Sequence, residues 1–189
     1  MASSINASTS GAGGVITTAD NTGTLQLQSG GTTIMTVGST GVTTQVGAPT
    51  FSAYFNGSLT MTSAYTAYKM TCETEQWDTN SNYDNSTNYR FTPTVAGYYQ
   101  VNGAVSITST NTAHALLYKN GALYCSGNPA TNASLSRIPS QISMIVYMNG
   151  STDYLELYGQ SPSASQVIAA YSVDSKLSTY FNAALIRSA

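Results

Sequence analysis

Three observations predict an all-β protein, a sandwich or a barrel. Apolar and polar residues alternate over short runs, most clearly in residues 98–107, YYQVNGAVSI, where Tyr99, Val101, Val105 and Ile107 share one face. Glycine- and asparagine-rich turn signals separate these runs at short, regular spacing. No stretch shows capped helical periodicity.

In chain order, residues 1–14 are almost entirely Ser, Ala, Asn, Thr and Gly, with too little apolar surface to fold alone. They contain no basic residue and no apolar run, so they lack the form of a signal peptide. Residues 23–47 then hold three short strand-like pieces, TLQLQ, TTIMTV and VTTQV, punctuated by glycines. Their apolar sets are Leu25 and Leu27, Ile34 and Val37, and Val42 and Val46. Strands this small bury little in one chain. They gain stability when copies pack together or when they lie on a partner. A composition break at Gly47-Ala48-Pro49 divides an arm, residues 1–47, from a head, residues 48–189.

FSAYF (51–55) opens the head, and RFTPTVAG (90–97) sets a stiff turn before the aromatic strand at 98–107. AHALLYKNGALYC (113–125) reads as a hairpin, because Asn120-Gly121 accepts the positive φ that a two-residue turn demands. QISMIVYMNGSTDYLELYGQ (141–160) is expected to repeat that hairpin at Asn149-Gly150. In its first half, Ile142, Met144, Val146 and Met148 point one way, and Ile145 and Tyr147 the other. Apolar residues on both faces imply that the outer face is covered by another copy. The 14 tyrosines against 4 phenylalanines suit such an interface, since tyrosine combines apolar area with a polar tip. YFNAALIR (180–187) closes the chain.

Charge limits the partners. Charged residues make up 7% of the chain and the net charge is -2, against roughly 25% charged residues in an average soluble domain. Nucleic acid, which needs clustered cations, is excluded as a partner. A membrane is excluded too, because no apolar run approaches the ~18 residues of a span. Solubility must come from Ser, Thr, Asn, Gln and Tyr, a palette suited to extracellular or virion surfaces.

The sequence offers little chemistry. His114 is the sole histidine, it lies mid-strand, and no GxSxG elbow occurs, so no catalytic residues are expected. One His and two distant cysteines, Cys72 and Cys125, do not make a zinc site. The cysteines read as a disulfide in a secreted domain or as two free thiols, and the missing signal favours thiols. Glu73, Glu75 and Asp78 read as a solvated edge rather than a glycosidase pair. Asp78, Asn80, Asn82 and Asp84 alternate as calcium ligands would, but Tyr83 and Tyr89 stand where the loop glycine and the bidentate glutamate belong. The expectation is therefore a polar loop, with no metal and no cofactor.

The order PTFSAYF, then YDNSTNYRFTPTVAGYYQVNGAVSI, then LLYKNG, then YFNAALI resembles the globular-head family of complement component 1q, related in fold to tumour necrosis factor. The resemblance spans residues 50–187 and rests on Tyr83-Asp84, Phe91, Pro93, Gly97, Tyr98-Tyr99 and the Asn-Gly hairpin. It implies a jelly-roll β-sandwich assembled as a homotrimer about a threefold axis. On that basis the trimer interface is expected to include Tyr99, Val101, Val105, Ile145, Tyr147 and Tyr180. No collagen stalk is present. The glycine-punctuated arm resembles instead the strand repeats of bacteriophage tail fibres and virion appendages, with Leu25, Leu27, Ile34, Val37 and Val42 as anchoring contacts. Together these imply a non-enzymatic protein of the virion surface, a capsid decoration or cement protein. Its expected partners are its own copies and the major capsid protein, with a host cell-surface glycan or protein as a further one. A tail fibre or tail tip, and a secreted carbohydrate-binding module, are the alternatives.

Overall fold

A computed structural model describes residues 3–7, 15–18, 21–45, 47–131, 138–169 and 178–189. The described residues contain strands and no helix, and so no helix long and apolar enough to cross a membrane. The chain divides into two compact units, Met1–Ala48 and Pro49–Ala189.

The first unit is a single five-stranded sheet. Its strands are β1 (Ser3–Ala7), β2 (Val15–Thr18), β3 (Leu25–Ser29), β4 (Thr32–Val37) and β5 (Thr43–Gln45), in the order β2-β1-β3-β4-β5. The last three are the glycine-punctuated pieces, though Val46 itself lies outside the described residues. Gly30 and Gly31, at φ 57° and 80°, form the tight turn between β3 and β4. The segment Ser3–Ala7, too poor in apolar residues to fold alone, forms a strand by pairing. It joins the sheet parallel to β3, setting Ile5 beside Leu27. Main-chain pairing supplies what composition alone does not.

The second unit is a jelly-roll β-sandwich. In chain order its strands are β6 (Thr50–Tyr54), β7 (Ser58–Met61), β8 (Tyr68–Lys69), β9 (Thr74–Asp78), β10 (Tyr83–Asp84), β11 (Arg90–Phe91) and β12 (Gly97–Val105). They continue with β13 (Thr112–Lys119), β14 (Ala122–Ser126), β15 (Ala130–Thr131), β16 (Ser140–Met148), β17 (Leu155–Gln160), β18 (Gln166–Ala169) and β19 (Tyr180–Ser188). One sheet runs β16-β12-β19-β6-β9. The other follows β10-β11-β17-β13-β14, with β8 and β15 at its margins, and β7 pairs with β18 apart from both.

The core lies between the sheets and is strongly aromatic. Phe51 stacks on Tyr83 at 4.5 Å and on Phe91 at 4.6 Å, and meets Phe181 edge-on at 5.1 Å. Phe91 in turn meets Tyr99 edge-on. Buried hydroxyls find partners: Tyr99 donates to the Val95 carbonyl at 2.7 Å and Tyr83 to that of Cys72 at 3.1 Å. Gly103 lets β12 approach the opposite sheet, since a Cβ there would fall 2.7 Å from a Leu157 methyl.

The Asn120-Gly121 hairpin forms as expected, with φ of 54° and 77°. Asn149-Gly150 does not repeat it. β16 ends at Met148, β17 begins at Leu155, and the two strands belong to different sheets. The Asn149 side-chain oxygen instead accepts the N–H groups of Ser151, Thr152 and Asp153, each at 3.0 Å, and so caps a loop that crosses the sandwich. Gly150 is required for space as well as for its φ of 72°, because a Cβ there would lie 2.3 Å from the Ala96 nitrogen.

Candidate functional site

The outer face of the β16-β12-β19-β6-β9 sheet is the first candidate surface. Strand alternation divides the residues expected at an interface. Tyr99, Val101 and Val105 are fully buried inside the single chain and present nothing to a neighbour. This corrects their assignment to a trimer interface: the odd-numbered residues of β12 up to Val105 face the opposite sheet, not another copy. Ile142, Val146 and Met148 likewise belong to the core. Ile145 and Tyr147 are 56% and 43% exposed, and Tyr180 is half-buried. These three, with Tyr98, face outward.

A polar ladder crosses the middle of this face. The Gln100 amide donates to Ser143 Oγ at 3.1 Å and to Asn102 Oδ1 at 3.2 Å. Ser143 donates to the same Asn102 oxygen, and Asn102 Nδ2 donates to Asn182 Oδ1 at 2.9 Å. Beyond it, Ser52, Gln76, Tyr180 and Asn182 line a cleft of about 190 Å³. Gln76 owes its place to a β-bulge: Ser52 pairs with Trp77 and Ala53 with Glu75, so Gln76 is the extra residue. Ser52 Oγ donates to its side-chain oxygen at 2.9 Å. Trp77, 52% exposed, donates from its indole to Thr50 Oγ1. Nothing in the sequence signals this cleft, because a bulge is a pairing event between distant strands.

The arm offers a second surface. Register places Leu25 opposite Val37 and Leu27 opposite Met35, with Ile5 beside Leu27, so these residues line one face. Leu25, Leu27, Met35 and Val37 are none of them fully buried. Ile34 is the unpaired residue at the register shift that follows Leu27 and is 47% exposed, and Val42 stands at the β4–β5 turn, 64% exposed.

The oxygen-rich loop is not assembled as a cation cage. Asp78 accepts the Asn80 and Tyr83 N–H groups, and Asn82 Oδ1 accepts that of Thr94. Asn80 Oδ1 accepts the Thr79 hydroxyl. Asp84 accepts the N–H groups of Ser86, Thr87 and Asn88, which hold its carboxyl well below the usual carboxylate range. Each candidate ligand is thus engaged in capping the protein's own chain. His114 sits half-buried opposite Gln160. Cys72 and Cys125 are unbonded, and burial pushes the Cys72 thiol far up.

Two ion pairs fix the second sheet. Lys69 bonds Glu156 at 2.6 Å and Lys119 bonds Asp153 at 2.9 Å. The Asn120 side chain, with Lys119, lowers the Asp153 carboxyl and ties the hairpin turn to the crossing loop. Lys69 is raised by Glu156, which outweighs the effect of burial.

This two-sheet head is a jelly-roll domain of the kind found in complement 1q and tumour-necrosis-factor-like proteins. It is similar to the globular domain of zebrafish complement 1qA protein, with 14% identity and a TM-score of 0.52 over 75% of this chain and 99% of that one. It is similar to murine APRIL, with 7% identity and a TM-score of 0.55 over 74% of this chain and 99% of that one. The PRD1 vertex protein P5 matches with 16% identity and a TM-score of 0.52 over 74% of this chain and 97% of that one. No family model matches the sequence, and no curated protein matches it significantly.

Proposed function

We propose that this is a non-enzymatic, homotrimeric structural protein of a bacteriophage virion surface, a capsid decoration or cement protein. The arm docks on another virion protein, the major capsid protein, and the head projects outward, where a host-surface glycan or protein is a further partner. One observation carries the reading. The head is a sandwich with its own core, whereas the described residues of the arm form one five-stranded sheet in which Leu25, Leu27, Met35 and Val37 share a face. Such a sheet is completed by a partner. Asp20 is the arm's only ionisable side chain, so docking rests on backbone hydrogen bonds and small apolar contacts and depends weakly on salt.

The test uses particles that lack this protein. The full chain should rebind them, and residues 48–189 should remain soluble and trimeric without rebinding. Full occupancy by the head alone would refute the arm as anchor. The likeness to PRD1 vertex protein P5 favours a second reading, a vertex appendage or tail-fibre tip. Copy number separates the two: a decoration protein is present in many copies per particle, an appendage in few.

A further inference from the structure

We infer that Asn56 is a site of spontaneous backbone modification, the Asn-Gly step of this chain that deamidates in the folded state, and that its conversion weakens the link between β6 and β7. The inference is independent of the virion reading.

Four Asn-Gly steps occur, at residues 56–57, 102–103, 120–121 and 149–150. Asparagine is thermolabile, and a following glycine makes it most so, because without a Cβ the glycine nitrogen reaches the preceding side chain unhindered. The reaction needs only water. The glycine nitrogen attacks asparagine Cγ and gives up its proton, a C–N bond forms, and the side-chain nitrogen leaves as ammonia. Water then opens the five-membered imide at either carbonyl and leaves aspartate or isoaspartate. The side chain must first turn toward that nitrogen, so any bond that holds it elsewhere slows the reaction.

Three of the four are held. Asn102 donates to Asn182 at 2.9 Å and accepts from Gln100 and Ser143, and the ladders to β16 and β19 keep its main chain extended. Asn120 donates to Asp153 at 2.8 Å and accepts the Tyr154 N–H at 2.9 Å. Asn149 accepts the three N–H groups of its capped loop and donates to Thr152 Oγ1 at 2.8 Å. Asn56 differs on each count. It is exposed, it lies between the end of β6 and the start of β7, and its side chain makes no hydrogen bond among the described residues. Its main-chain N–H alone is bound, donating to Glu73 Oε1 at 3.0 Å.

That bond sets the consequence. Glu73 Oε2 is buried without a hydrogen-bond partner, and Glu73 has no ion pair among the described residues. A carboxylate made at residue 56 therefore arises within a side chain's reach of another that no described cation offsets. Isoaspartate also lengthens the main chain by a methylene just ahead of β7, whose Met61 is fixed in the core.

Ageing the full chain in mildly alkaline buffer, with peptide mapping by mass spectrometry, tests the site. Asn56 should convert at least about tenfold faster than each of the other three, since every one of those must give up two or more hydrogen bonds and each bond lost costs several-fold in rate. In guanidinium chloride the four rates should converge to within a few-fold. As rapid a conversion at Asn102, Asn120 or Asn149 in the folded chain, or none at Asn56, would overturn the assignment. A preference for Asn56 that persists in guanidinium would refute the fold as its cause. Asn56→Asp copies the simpler product and should lower the denaturation midpoint, and it should lower it less in a Glu73→Gln background. An unchanged midpoint, or an equal loss in both backgrounds, would overturn the weakening through Glu73.

Discussion

Arm and head are made from the same uncharged Ser, Thr and Asn palette, yet the buried hydrophobic cluster of the described residues lies wholly in the head. The difference is aromatic content. All 14 tyrosines, all 4 phenylalanines and the single tryptophan lie in the head, while nine of the sixteen glycines lie in the arm. A buried aromatic ring removes far more apolar surface from water than a valine or leucine does, so a few rings suffice to hold two sheets together. The arm's scattered Leu, Ile, Met and Val can line one face of a sheet but cannot supply a second layer. Low charge is thus compatible with both an independent domain and a dependent one, and ring count decides which.

The largest expected effect breaks this contrast. Phe91→Ala should destabilise the head by about 3–5 kcal/mol, because the ring fills the space between Phe51 and Tyr99. Leu27→Ala should leave the head's guanidinium midpoint unchanged and weaken only particle rebinding. A comparable loss of midpoint from Leu27→Ala would show that the arm is part of the head's cooperative unit. Next in size is Lys69→Met, which strands the nearly buried Glu156 carboxylate against Tyr158. Lys69 is partly exposed, so a loss of about 2 kcal/mol is expected by chemical denaturation. Glu156→Gln in the same background should recover part of it, and no recovery would argue against a paired-charge role.

The smallest effect is pH-dependent. The Asp84 carboxyl titrates lower in the folded chain than in the unfolded one, because three backbone N–H groups bond the carboxylate. Its stabilisation is therefore present above the ordinary aspartate range, near pH 4, and is lost as pH falls through the depressed folded value. Asp84→Asn should lower stability at neutral pH by on the order of 1 kcal/mol, discounted for solvent exposure. It should also flatten the acid limb of the stability curve. An unchanged acid limb in the variant would place the acid sensitivity elsewhere.

The sequence by itself determined the all-β class, the break beside Pro49, the Asn120-Gly121 hairpin and the aromatic strand. Each is a local signal: a period of two, a change of composition, or a turn that only certain residues permit. Tertiary structure alone decided which face each strand buries. Tyr99 and Tyr98 are adjacent and identical in type, but one lies in the core and the other lies on the surface. Alternation states that they differ and cannot state which is inside. Asn149-Gly150 carries the same letters as the hairpin turn, and only the crowding of Gly150 against Ala96 shows a crossing loop. The bulges at Gln76, where β6 meets β9, and at Ile186, where β12 meets β19, were equally hidden. A bulge is a mismatch between two strands far apart in the chain, so no reading of either strand alone contains it.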